Sequence, residues 1–127
     1  MKYLIDTSAW IEYLEGSETG EKVNNILREK NNEIFIISLN IGEVISKIKR
    51  ARKDVELAYE TLINRAKILT ITPRIAKEAG ILHAEIKGKN ASFSLADALI
   101  IKAAQSISAK IVTKDNHFKS FKETVLI

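Results

Sequence analysis

Apolar residues occur along this chain in two patterns. Leu4-Ile5, Ile34 through Ile37 and Ile111-Val112 are unbroken apolar runs rather than alternations, which marks strands buried on both faces. The pattern predicts strands over 2–5, 34–37, 67–71, 110–113 and 124–127. Between them the apolar residues return at helical spacing. A helix begins near Ser8 with Trp10, Ile11 and Leu14, and the stretch from Gly16 to Gly20 breaks it. A second, over about 21–30, carries Val23, Ile26 and Leu27 on one side. A third, over about 40–50, carries the stripe Ile41, Val44, Ile45 and Ile48. Further helices are predicted over 54–66, from Pro73 to about 87, and from a Ser94 cap to about 107, with a turn or short helix over 115–121. Pro73, the only proline, suits a first helical position. Strands alternating with helices predict an α/β fold: one parallel sheet covered by helices, in a single domain spanning 1–127.

Composition narrows the chemistry. The chain has no cysteine and only two histidines, His83 and His117, so thiolate and multi-histidine metal sites are out. The opening apolar run is too short for a signal peptide, and no stretch is long enough to span a membrane, so the expected location is the cytoplasm. A net charge of +4 leans toward a polyanionic partner, and the distribution of bases matters more than their sum. Lys47, Lys49, Arg50, Arg52 and Lys53 follow Glu43, and Lys110, Lys114, Lys119 and Lys122 surround Asp115.

The acids among those bases carry the candidate chemistry. In a parallel sheet, ligands bind beyond the carboxyl ends of the strands. Asp6 follows the first predicted strand directly, Asp115 lies just past the fourth, and Glu43 comes a few residues after the second. Asp97 falls in the first turn of a helix, on the same side as Ile100, Ile101 and Ala104. A carboxylate in apolar surroundings neutralises, pairs or holds a metal. Sharing a low-dielectric site with like charges, Asp97 is expected to cost the metal-free protein stability, so that Asp97→Asn would stabilise it.

Each acid also has a local explanation. Asp6 can cap a helix or join an Asp6-Thr7-Ser8 turn; Asn40-x-x-Glu43 and Ser94-x-x-Asp97 have the form of capping boxes; Asp115 can cap the turn after it. Glu43 falls away from its helix's apolar stripe, so a solvent-facing position is its alternative. If the acids converge, hard oxygen ligands suit Mg²⁺ or Mn²⁺ and the hydrolysis of phosphodiesters.

Taken in order, these residues resemble the PIN-domain nucleases. Asp6-Thr7-Ser8-Ala9-Trp10-Ile11 after a first strand is similar to that family's opening motif. Glu43, Asp97 in Leu95-Ala96-Asp97-Ala98-Leu99-Ile100, and Asp115 in Thr113-Lys114-Asp115-Asn116-His117-Phe118 complete its acidic quartet. The spacing fits across the whole chain, and the length resembles that of VapC-type toxins. The resemblance implies a three-layer fold, a parallel sheet of about five strands with helices on both faces. It implies an Mg²⁺- or Mn²⁺-dependent endoribonuclease with Asp6, Glu43, Asp97 and Asp115 as metal ligands and catalytic residues. Thr7, Ser8 and Thr113 would hydrogen-bond those carboxylates or the metal's waters. A homodimer and a cognate antitoxin protein are the implied partners.

Lys47, Arg50, Lys114 and His117 are the candidates for contacting substrate phosphates, with a solvated turn as the alternative for His117. His83 reads as structural or surface, and Trp10 and Tyr13 as core or dimer contacts. The apolar content of the first two helices, Trp10, Ile11, Leu14, Val23, Ile26 and Leu27, exceeds what one small core needs and is expected to build the dimer. Two other phosphoryl-transfer classes fit worse. A haloacid-dehalogenase-like phosphatase needs a second Asp where Ser8 stands, and a receiver-type phospho-acceptor needs an acidic pair at the first strand. An inactive PIN-like RNA-binding or scaffold module is the non-enzymatic alternative; loss of an acid would mark it, and all four are present.

Overall fold

The computed structural model describes residues 1–127. Five parallel strands form one sheet: β1 (Lys2–Ile5), β2 (Glu33–Ile36), β3 (Lys67–Ile68), β4 (Lys110–Thr113) and β5 (Thr124–Leu126), in the order β3-β2-β1-β4-β5. The unbroken apolar runs explain its two covered faces. Successive side chains of a strand point to opposite sides. Leu4 and Ile111 enter one core cluster, whereas Ile5, Val112, Ile34 and Ile36 enter the other.

The first cluster lies under α5 (Pro73–Lys87) and α6 (Leu95–Ser106), which contribute Ile75, Ala79, Ala98, Ile101 and Ala104. The second lies under α1 (Thr7–Glu15), α2 (Glu18–Arg28), α3 (Ser38–Arg50) and α4 (Val55–Arg65), with Trp10, Val23, Val44, Ile48 and Leu62 inside it. The result is the expected three-layer α/β arrangement, and the central strand β1 ends at the middle of the sheet's carboxyl edge, where Asp6 follows.

Three expectations change. Strand β3 has two residues rather than five. It pairs only Phe35 with Lys67 and Ile36 with Ile68, because β2 stops one residue before α3 begins and leaves nothing further to pair with. Such a short outer strand also presents little open edge. Second, the apolar residues of α1 and α2 do not form an outer face. Trp10, Ile11 and Val23 are buried, and Leu14, Ile26 and Leu27 pack against the same cluster, so they are consumed by this chain's own core. Third, α2 begins at Glu18. Ser17 caps it by accepting a hydrogen bond from the Gly20 N–H at 2.9 Å, so only Gly16 breaks the chain, with φ 68°.

Gly20 is instead the point where α2 meets α1. A Cβ there would overlap the backbone carbonyl oxygen of Glu12 and lie 3.0 Å from the Cα of Tyr13. Backbone cannot move aside as a flexible side chain does. Gly20→Ala is therefore expected to lower stability by about 1–3 kcal/mol, even though alanine is the better helix former. Urea unfolding checks this: an unchanged or raised midpoint would mean that α1 and α2 separate without cost.

Candidate metal and catalytic site

The turn from β1 into α1 places Asp6 at the helix N-cap, but its side chain bonds to no N–H in the cap position. It points instead toward β4. Its Oδ2 accepts hydrogen bonds from Thr113 Oγ1 at 2.9 Å and Ser8 Oγ at 3.2 Å, and its own N–H donates to the Val112 carbonyl at 2.9 Å. Thr113 is fully buried at the end of β4, and its hydroxyl also accepts from the Asp115 N–H at 2.9 Å. Ser8 accepts from the Lys114 N–H at 3.0 Å. Thr113 and Ser8 thus tie the ends of two adjacent strands around one carboxylate.

Glu43 is exposed, as its place off the apolar stripe predicts, yet it reaches the same place. Its Oε1 accepts from the Thr7 hydroxyl at 2.8 Å. The capping-box reading of Asn40-x-x-Glu43 is incorrect: α3 starts earlier, with Ile37 at its N-cap, and Asn40 is fully buried. The Asn40 amide nitrogen lies 2.9 Å from Thr7 Oγ1 and 3.5 Å from both Asp6 Oδ1 and Glu43 Oε1.

Asp97 caps its helix and also faces the other candidate residues. The Ser94 capping box is complete: the Asp97 N–H donates to Ser94 Oγ at 3.0 Å, and the Ser94 N–H donates to Asp97 Oδ2 at 2.9 Å. Asp97 is 8% exposed as a residue, and its carboxylate faces His117, whose Nδ1 lies 3.3 Å away. His117 is also 3.4 Å from Asp115 Oδ2, while Asp115 Oδ1 accepts from the His117 N–H at 2.9 Å. His117 is therefore no free turn residue; it sits between two of the acids. Lys114 Nζ pairs with Glu12 at 3.3 Å on the surface.

Asp6, Glu43, Asp97 and Asp115 line one cavity of about 240 Å³ together with Thr7, Ser8, Ser94 and Lys47. Two of these acids, Asp97 and Asp115, together with the adjacent His117 each bring a ligand atom within 4.8 Å of the others, a group that could hold a divalent cation; Asp6 and Glu43 line the cavity without joining that close set. The donor set fits a hard divalent ion, being mostly carboxylate with a single imidazole and no sulfur. Lys47 and Arg50 also line an open groove along α3 that meets the cavity at Thr7 and Glu43.

Asn40 is the site neighbour that motif reading missed. Its signal was present: Asn40, Val44 and Ile48 recur every four residues on one helix face, so a polar amide occupies a core stripe.

Burial raises the Asp6 carboxyl above its ordinary value of 3.8, opposed by the hydrogen bonds of Thr113, the Thr7 backbone and Ser8, and assisted by the negative charge of Glu43. The folded protein then holds this proton at pH values where the unfolded chain has released it. Without metal, stability is unaffected by Asp6 below pH 3.8 and falls as pH rises from there through the raised folded value. The relief expected of Asp97→Asn is thereby transferred to Asp6, because Asp97 holds two capping hydrogen bonds and faces His117. In EDTA at neutral pH, Asp6→Asn should gain roughly 0.5–2 kcal/mol, and Asp97→Asn should melt no higher than the unsubstituted protein. Thermal melts at pH 3.5 and 7 check this; the Asp6→Asn gain must vanish at the lower pH, and its absence at pH 7 would show that burial of Asp6 carries no cost.

Comparison with known proteins agrees with this architecture. No curated protein sequence matches the chain. Among solved structures it is similar to VapBC2 from Rickettsia felis, in a complex bound to a promoter DNA fragment, with 20% identity, a TM-score of 0.77, and 100% of this chain and 98% of that one covered. A toxin–antitoxin complex from Klebsiella pneumoniae gives 22% identity, a TM-score of 0.76, and coverage of 97% and 95%. The Mycobacterium tuberculosis toxin VapC20, described as cleaving the sarcin–ricin loop, gives 13%, 0.75, 94% and 95%. Those likenesses establish the fold. Residues 3–123 match the PIN domain, and the chain belongs to the PIN-domain family.

Proposed function

We propose that this chain is an Mg²⁺- or Mn²⁺-dependent endoribonuclease that hydrolyses RNA phosphodiester bonds, and that it is the toxin of a type II toxin–antitoxin pair. The observation that carries the reading is the meeting of Asp6, Glu43, Asp97 and Asp115 on one cavity at the carboxyl edge of the sheet, with Lys47 on its rim. Family membership and the relative described as cleaving the sarcin–ricin loop support RNA as the substrate. The solved toxin–antitoxin complexes support an antitoxin partner.

In this reading Asp6, Asp97, Glu43 and Asp115 hold the ion, with His117 beside the last two acids of the chain order. When bound, the ion activates water and stabilises charge developing on the phosphate. The protein's own contribution is placement. Thr113 and Ser8 hold Asp6 Oδ2, while Oδ1 stands 3.5 Å from the Asn40 amide nitrogen. Lys47 and Arg50 draw the RNA backbone along α3, although Arg50 Nε also donates to the Ser46 carbonyl at 3.3 Å. The burial of Asp6 excludes water from one side of the site.

Cleavage of single-stranded or loop RNA should appear with Mg²⁺ or Mn²⁺ and stop in EDTA. Asp97→Asn should lose at least about 100-fold in rate, the order of effect expected when a charge-stabilising group is removed. Full cutting in EDTA after stripping tightly held metal would refute the mechanism. RNA binding without cleavage under every metal tried would favour the inactive binding module.

The homodimer belongs to the same proposal, with a different surface from the one first expected. With the apolar residues of α1 and α2 buried, the dimer surface is assigned to Tyr59 and Ile63, one turn apart on α4, and Leu39 on α3, which are among the exposed apolar side chains. Light scattering at micromolar concentration should give twice the 14.2 kDa chain mass, and Ile63→Glu should halve it. A monomer at that concentration would remove the dimer from the proposal.

A further inference from the structure

We infer that Asn40 is a positioning residue that sets the reach of Glu43 through the hydroxyl of Thr7. The inference rests on the metal-dependent nuclease reading and concerns a residue outside the acidic quartet.

Glu43 is an exposed, flexible side chain on α3, and without a tether it would sample many rotamers in water. Its tether is the Thr7 hydroxyl on α1, at 2.8 Å. A hydroxyl has one hydrogen and rotates freely until something fixes it. Asn40 supplies that constraint by donating from Nδ2 to Thr7 Oγ1 at 2.9 Å, which occupies a lone pair and commits the hydroxyl hydrogen to Glu43. The chain of donors runs in one direction, from Asn40 to Thr7 to Glu43.

The orientation of the amide is determined by its surroundings. Nδ2 faces the carboxylates of Asp6 and Glu43 at 3.5 Å each. Turning the amide over would present its oxygen to two negative groups. The other end, Oδ1, is buried with no hydrogen-bond partner. A leucine would fill this fully buried place without an orphaned carbonyl; it lacks only the donor. The amide thus serves the carboxylates rather than the core.

Asn40→Leu tests this. The variant should stay folded in EDTA by thermal melt, because it loses the orphaned oxygen and keeps the branched four-atom outline of the amide, although its methyl groups take more room. Its affinity for Mn²⁺, measured by calorimetry without RNA, should fall 10–100-fold, the usual effect of removing a group that orients a metal ligand. On RNA, kcat should fall with KM unchanged, since a fully buried amide cannot touch the substrate. Thr7→Val should show the same losses, and Thr7→Ser should retain Mn²⁺ affinity. Because both residues act through one hydroxyl, the double variant Asn40→Leu/Thr7→Val should lose no more than the weaker single variant.

Unchanged Mn²⁺ affinity and kcat in a folded Asn40→Leu protein would overturn the inference, as would losses that multiply in the double variant. If Asn40→Leu fails to fold, Thr7→Val decides alone, and unaltered Mn²⁺ binding there overturns it. These outcomes leave the nuclease reading standing. If the unsubstituted protein neither binds Mn²⁺ nor cuts RNA, that reading fails and the role of Asn40 falls with it.

Discussion

The hydrogen bond from Thr113 to Asp6 is the constraint on which the site depends. It joins the last residue of β4 to the first residue after β1, and it lets a carboxylate exist where only 6% of the residue meets solvent. Burial alone drives that carboxyl toward its neutral form, and Thr113, the Thr7 backbone and Ser8 pull it back. The balance leaves Asp6 disfavoured as an anion without a cation and suited to one with it. The same hydroxyl of Thr113 accepts the Asp115 N–H, so one buried threonine places two acids of the cavity.

Local structure and candidate chemistry reinforce each other here. Asp97 completes a capping box that starts α6 at Leu95, and the same geometry keeps its carboxylate at the helix N-terminus, facing His117. Asp115 accepts the His117 N–H while its second oxygen faces the His117 ring. A cap fixes a side chain at low entropic cost, and a fixed side chain makes a better ligand. A capping role and a place in the cluster that could hold an ion are therefore compatible at these two positions.

Much of this was legible in the residues. Consecutive apolar positions in Leu4-Ile5 and Ile111-Val112 announce strands buried on two faces, and an acid at the end of such a strand announces the rim of a parallel sheet. What escaped depended on partners distant in sequence. The length of β3 is set by where β2 ends, and α2 runs through Gly20 because α1 approaches there. Neither fact is written in the local residues. The apolar surplus of α1 and α2 misled for the converse reason: composition counts apolar residues without showing that four helices share one face of the sheet. Asn40 escaped because the motif directed attention to acids, although an amide on the Val44 and Ile48 stripe was visible as an anomaly.

The pairing of β1 with β4 also governs when the site can come into being. Asp6 and Thr113 stand 107 residues apart, and holding the ends of a loop that long together costs about 4 kcal/mol in chain entropy beyond a constant. That contact becomes favourable only after the sheet and both helical layers have supplied the opposing free energy. A chain emerging from the ribosome carries Asp6 and Glu43 early but closes no cavity around them until Thr113 and Asp115 have been synthesised and docked. The four acids therefore come together on one cavity only when synthesis of the fold is nearly done.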